Sequence, residues 1–181
     1  MALENLFRDV FLDRYATLLE GGAEEPFYQA GTEAGAPHRI HYTRDYFRSA
    51  LHEVAHWCVA GPQRRQRDDY GYWYAPDGRN AAQQAEFMRV EVRPQAYEAL
   101  FCAACNHPFR VSLDNLAGEA GDEAAFAAAV YRQALSFNEQ GLAQRPALWV
   151  AALWRAFQNP ARACHRDSLA RALEVVFQHG A

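Results

Sequence analysis

Hydrophobic residues at helical spacing open the chain. They recur three and four positions apart at Leu3, Leu6, Phe7, Val10, Phe11, Leu18 and Leu19. Residues at these intervals share one face of an α-helix, and the glycine pair at 21–22 can end such a helix. The pattern therefore predicts a first helix over residues 3–20. A loop rich in Gly, Ala, Glu and Pro follows over residues 21–37.

A short β-compatible segment, "HRIHY" at 38–42, precedes the second predicted helix. Thr43 is of a type that caps helix N-termini, and the glycine and proline at 61–62 can stop the helix. Its inward-facing stripe consists of Tyr46, Phe47, Ala50, Leu51, Val54 and Ala55. The pattern therefore predicts a helix from Thr43 to about residue 60.

The remaining pattern is mostly helical. Alternating aromatics followed by Pro-Asp-Gly in "YGYWYAPDGRN" predict an extended segment and a tight turn. Further helices are expected at 80–88, at 92–105 with Pro94 in the first turn, and at about 122–140, 145–158 and 166–178. Residues 107–118 are expected to be extended or looped. The predicted fold is mainly α with a small β element (α+β), in a single domain over residues 1–181.

Composition narrows the function classes. Half of the 181 residues are hydrophobic, and 22 acidic against 18 basic side chains give a net charge of −4. This balance argues against a nucleic-acid-binding surface. No apolar run reaches bilayer length, and the amphipathic, acid-containing N-terminus suggests a folded helix instead of a signal peptide. Four irregularly spaced cysteines suit reduced thiols. We therefore expect a cytoplasmic protein without membrane or direct nucleic-acid partners.

The second predicted helix contains the HExxH sequence His52-Glu53-Val54-Ala55-His56. Residues four apart lie on one helix face, so both imidazoles can reach one metal ion. Burying histidines within this apolar stripe is costly without a partner or a metal. The alternative is a pair of half-exposed histidines on an ordinary helix. We predict that His52 and His56 are metal ligands.

A catalytic metal usually needs a third protein ligand. Metzincins supply a histidine six residues after the second motif histidine, but Pro62 stands there. A later carboxylate is the remaining option, with Glu86, Glu91 and Glu98 as candidates. Glu91 lies between two valines at the start of a predicted core helix, where a charge needs a partner. The alternative is that Glu91 binds no metal and is simply a carboxylate at a helix start, where the helix dipole favours a negative charge.

Two chemistries fit two histidines and one carboxylate. In zinc hydrolysis, Glu53 would be the general base that takes a proton from metal-bound water. In a non-haem Fe(II) oxygenase the same ligands form a facial triad, and Glu53 would support the ligands from outside the coordination sphere. The ligand types do not choose between these chemistries.

Four segments occur in order: "SALHEVAHWCVAG", "DDYGYWYAPDGRN", "VEVRPQAYEALFCAA" and "HPFRVSLDNLAG". Together they resemble the bacterial elongation factor P hydroxylase family, from "HRIHYTRDYF" to "NEQGLAQRPALW". The resemblance implies a metal-dependent hydroxylase that acts on the β-lysylated lysine of elongation factor P. It implies a site built on helices, zincin-like in part, and not on the jelly-roll of 2-oxoglutarate oxygenases. Carried over by position, His52, His56 and Glu91 would be the metal ligands.

Hydroxylation of an unactivated C–H bond needs a redox metal and dioxygen. We expect Fe(II), although another divalent metal could occupy the site on purification; the electron donor is not predicted. Tyr72, Trp73 and Tyr74 could hold the aliphatic stem of the modified lysine, and Asp77 could pair with its amines. The alternatives are a core strand for the aromatics and a simple turn at Asp77. A zinc metallopeptidase of the HExxH-plus-Glu type remains the alternative function.

Overall fold

The computed structural model describes residues 3–33, 35–69, 78–115, 122–158 and 163–178. The chain divides into two compact units, Met1–Gly71 and Tyr72–Ala181. Six α-helices and one three-stranded sheet are described within these ranges, which confirms the predicted mainly helical α+β class. Among the described residues, no helix is both long enough and apolar enough to cross a bilayer. The assignment of residues 1–181 to a single domain stays a prediction.

The N-terminal unit combines two helices with the sheet. Its elements are α1 (Leu3–Tyr15), β1 (Thr17–Ala23), β2 (Phe27–Gln29), β3 (His38–Thr43), α2 (Phe47–Val59) and a 3₁₀ turn at Arg64–Gln66. The strand order is β1-β3-β2. β1 runs parallel to β3 and β2 runs antiparallel to it. The predicted β segment at 38–42 and the motif helix are thus both confirmed.

An aromatic cluster joins α1 to α2 inside this unit. The Trp57 ring of α2 packs edge-on against Phe7, Phe11 and Tyr15 at centroid distances of 5.4, 4.9 and 5.6 Å. Such tilted arrangements are the favourable geometry for aromatic pairs. Because Trp57 directly follows His56, the last residue of the motif, this packing fixes the rotation of α2 about its own axis.

The C-terminal unit is all helical. It contains α3 (Ala81–Cys105), α4 (Glu123–Gln140), α5 (Gln144–Phe157) and α6 (Arg166–Gln178), and α3 packs against each of the other three. A capping box begins α3, because Asn80 and Gln83 each accept a hydrogen bond from the other's backbone. Asn106 ends the helix in the left-handed conformation, with φ of 54°. The last three predicted helices are confirmed to within one residue.

Three predicted elements are wrong in their limits. The first helix ends at Tyr15, since Leu18 and Leu19 fit a strand as well as a helix and β1 pairs with β3. The predicted loop at 21–37 contains β2 and the end of β1. Thr43 does not cap α2, which begins at Phe47; instead the Thr43 amide donates to Ser49 Oγ at 3.1 Å.

The two helices predicted at 80–88 and 92–105 are one continuous helix. Pro94 lies inside α3, where it cannot donate a hydrogen bond to the carbonyl four residues earlier. Every residue from Pro94 to Cys105 is buried. Burial of this long, mostly apolar segment offsets the missing hydrogen bond, so tertiary packing overrides the local signal to break the helix.

Candidate metal centre

α2 presents the two motif histidines side by side. The Nε2 atoms of His52 and His56 are 3.0 Å apart, and their rings meet at 78° with centroids 4.6 Å apart. Both side chains are half-buried, while Leu51, Val54 and Ala55 on the same helix are fully buried. The apolar face of α2 therefore anchors the helix in its core and leaves the imidazole pair accessible at the edge.

The separation of the two nitrogens fits a shared metal ion. Two imidazole nitrogens, each about 2.1 Å from one ion and at right angles to each other, stand about 3.0 Å apart. The same distance suits an N–H···N hydrogen bond between two neutral rings. The pair therefore needs little rearrangement to hold a metal ion.

Glu91 supplies a buried carboxylate. It lies on α3 with 2% of its surface exposed, where an ionised group is costly unless it is paired or coordinates a cation. With His52 and His56 on α2, it would complete the predicted set of two imidazoles and one carboxylate, and this ligand set stays a prediction. Such a donor set is suited to a divalent transition metal.

Glu86 and Glu98 are the other candidate carboxylates on α3. Glu86 is exposed and accepts two hydrogen bonds from Arg89, at 2.7 and 2.6 Å. The Arg89 hydrogen bond lowers the pKa of Glu86, so an arginine already balances the charge of Glu86 on the helix surface. Glu98 is as buried as Glu91, with 2% of its surface exposed, and it stays an alternative third ligand.

The sequence profile described as elongation factor P hydroxylase matches residues 6–167. The chain belongs to the elongation factor P hydroxylase family. The elongation factor P lysine hydroxylase of Haemophilus influenzae is 42% identical over 140 residues, which cover 77% of this chain and 79% of that protein. The resemblance seen in the sequence is therefore confirmed at the level of the family.

The predicted roles of all the site residues of this family member stay predictions, including the metal ligands. Glu53 is half-buried on α2 beside His52, which leaves the choice between catalytic base and supporting residue open. Tyr72, Trp73, Tyr74 and Asp77 lie outside the described residues. Their assignment to substrate binding is accordingly untested.

One buried residue that follows the predicted substrate segment in the sequence was not predicted. Arg79 is fully buried, and its Nε donates to Gln84 Oε1 at 2.8 Å. Its Nη2 donates to the carbonyls of Leu113, at 2.8 Å, and Asp114. The guanidinium lies 4.0 Å from the centroid of the Phe87 ring. Arginine offers five donors in a fixed planar arrangement, but two of these partners are backbone carbonyls, which the sequence does not reveal.

Arg79 and its neighbours hold residues 112–115 against α3. Asn115 Oδ1 accepts from the Arg79 amide at 2.9 Å and its Nδ2 donates to the Arg79 carbonyl at 3.0 Å. Gln84 Nε2 donates to the Leu113 carbonyl at 3.0 Å. Asp114 has a φ of 44°, a strained value for a residue with a side chain. The polar contacts therefore hold this segment, with its positive φ at Asp114, in place against α3.

Proposed function

We propose that this protein hydroxylates the β-lysylated lysine of elongation factor P. The observation that carries the proposal is the family match over residues 6–167, which includes both motif histidines and Glu91. The 42% identity to a protein named for lysine hydroxylation of elongation factor P supports the substrate. We also propose that the reaction takes place in the cytoplasm without direct nucleic-acid or membrane partners, in line with the net charge of −4 and the role of elongation factor P in translation.

His52, His56 and Glu91 are the proposed ligands of Fe(II). The 3.0 Å spacing of the imidazole nitrogens and the buried carboxylate of Glu91 support this assignment. When bound, the metal would supply the redox chemistry that activates dioxygen, which redox-silent zinc cannot supply. The packing of α2 through Trp57 would keep the imidazoles in place.

The reaction would insert one oxygen atom of dioxygen into a C–H bond. The other oxygen atom would leave as water, with two electrons and two protons from a two-electron reductant. Tyr72, Trp73 and Tyr74 are proposed to hold the aliphatic stem, because aromatic faces accept both methylenes and ammonium groups. Asp77 is proposed to pair with an amine of the modified lysine. Glu53 would support its neighbour His52 and would take no proton from water.

A zinc peptidase would use the same three ligands and would also need a general base. There Glu53 would have to activate water, so Glu53→Gln would abolish the reaction. In the hydroxylase, Glu53→Gln should keep measurable activity. This contrast makes Glu53 the residue that separates the two functions.

The direct test is intact-mass analysis of β-lysylated elongation factor P, incubated with the iron-loaded protein and a reductant. We expect a gain of one oxygen atom, about 16 Da. Glu91→Ala should abolish the gain. The matched control is Glu86→Ala, which removes an exposed carboxylate from the same helix and should leave the gain unchanged.

An unchanged mass after incubation with the iron-loaded protein and any of several reductants would contradict the proposed function. Peptide-bond cleavage that depends on Glu53 would favour the peptidase instead. A gain that survives Glu91→Ala would leave the hydroxylase function standing and remove Glu91 from the ligand set.

A further inference from the structure

Gln95 stands one helical turn after Glu91 in α3, with 1% of its surface exposed. Its Nε2 donates to Glu91 Oε2 at 3.4 Å and to the Ser112 carbonyl at 2.8 Å. Its Oε1 accepts from the Ser112 amide at 3.0 Å. An amide nitrogen carries two hydrogens, so both donations can be made at once.

The contacts with Ser112 fix the orientation of the Gln95 amide, that is, which side carries the oxygen and which side carries the NH₂ group. The Ser112 N–H can only donate and its carbonyl can only accept. Reversing the amide of Gln95 would therefore place two donors together and two acceptors together. This backbone pair holds the NH₂ group of Gln95 where it reaches the Glu91 carboxylate.

A hydrogen bond donated to a carboxylate limits rotation of the carboxylate and so orients it as a ligand. Partners of this kind, outside the coordination sphere, typically change metal affinity by about 10- to 100-fold. Gln95 is placed to orient the Glu91 carboxylate in this way.

We propose that Gln95 is a positioning residue that orients Glu91 as a metal ligand and is itself held by the backbone of Ser112. This inference rests on the proposed metal centre and extends it to a residue that contacts neither metal nor substrate. It also gives residues 112–115 a role, since the backbone of Ser112 holds Gln95, which in turn would orient the metal ligand Glu91.

Gln84 offers a matched control on the same helix. It is equally buried, at 1% exposed, and it also donates to the backbone of residues 112–115, at Leu113. It lies seven residues before Glu91, about 10 Å along the helix axis, beyond hydrogen-bonding reach. Replacing Gln84 therefore disturbs the anchoring of the segment without removing the donor to Glu91.

The test compares Gln95→Met with Gln84→Met in the full chain. Methionine keeps the length of glutamine and removes the donor and the acceptor. Co(II) serves as the probe, with its Kd measured by competition with a chromophoric chelator. The visible spectrum reports its coordination, and thermal unfolding of the metal-free forms reports stability. We expect Gln95→Met to raise the Co(II) Kd by about 10- to 100-fold and to alter the spectrum, while Gln84→Met leaves both near wild type.

Wild-type Co(II) affinity in Gln95→Met, with unfolding at a lower temperature, would show that Gln95 only anchors residues 112–115. Equal losses of affinity in both variants would place the effect in the segment and also overturn the inference. If Gln95→Met does not fold, Gln95→Asn keeps an amide but shortens its reach, and the same loss is expected.

Glu91→Ala separates this inference from the metal centre on which it rests. If Co(II) binding falls in Glu91→Ala but not in Gln95→Met, only the role of Gln95 is wrong. If wild-type protein binds no Co(II), or binds it independently of Glu91, the proposed centre fails and the inference fails with it.

Discussion

Replacing Arg79 with leucine should destabilise the protein strongly. The guanidinium is fully buried and donates to Gln84 Oε1 and to the carbonyls of Leu113 and Asp114. Leucine fills part of the volume but donates nothing. The Asn115 side chain bonds to the backbone N–H and carbonyl of residue 79. These two hydrogen bonds do not involve the Arg79 side chain, so they can survive the change.

The size of the effect follows from the groups left behind. Leu113 keeps the donor supplied by Gln84, whereas the buried Gln84 Oε1 loses the donor supplied by Arg79. An unsatisfied buried acceptor costs about 1–3 kcal/mol, and loss of the contact with Phe87 adds about 1–2 kcal/mol. Leucine also removes the cost of burying the charged Arg79 guanidinium, and this offsets part of the loss. We expect a net destabilisation of about 2–4 kcal/mol, or roughly 5–15 °C in Tm for a chain of this length.

Urea unfolding followed by far-UV circular dichroism measures the effect. The control is Arg89→Leu, which removes an exposed arginine from α3 and its pairing with Glu86. Exposed pairs of this kind contribute little, so the control should unfold like wild type. Equal unfolding midpoints for Arg79→Leu and Arg89→Leu would refute the reasoning.

Three further predictions concern stability and reactivity. Tyr42→Phe removes the hydrogen bond from Tyr42 Oη to Glu4 Oε1 (2.5 Å) and should cost about 1 kcal/mol in urea unfolding; an unchanged midpoint would contradict this. Burial raises the pKa of Cys105 to about 12, so its thiol should resist alkylation at pH 8 in native protein, as peptide mapping would show. The raised pKa means that the folded protein favours the neutral Cys105 thiol. The contribution of this thiol to the free energy of unfolding is therefore complete below about pH 9 and is lost progressively as the pH rises towards 12. Asn80→Ala breaks the capping box with Gln83 and should cost about 1 kcal/mol, whereas Asn80→Asp, which keeps the cap, should not.

The elements predicted well were those whose signal is local. α4, α5 and α6 carry sustained helical periodicity, and Asp122 accepts from the Ala125 amide as an N-cap. β1 was missed because its identity depends on pairing with β3, some twenty residues later in the chain. Pro94 suggested a helix start, yet burial of the residues that follow it carries α3 through.

The same distinction applies to the candidate site. The spacing of His52 and His56 is a local property, so the sequence could identify the pair. Arg79 and Gln95 could not be identified in this way, because their partners include backbone atoms of residues 112–115. A backbone carbonyl or amide carries no residue-type signal, and only the fold reveals which side chain reaches it.

Oxygen-isotope labelling tests the central claim most directly. Iron-loaded protein would be incubated with β-lysylated elongation factor P under ¹⁸O₂, and the product mass would be measured. A dioxygen-dependent hydroxylase predicts a gain of about 18 Da under ¹⁸O₂ and about 16 Da under ¹⁶O₂ in H₂¹⁸O. No gain, or an oxygen that comes from water, would contradict the account.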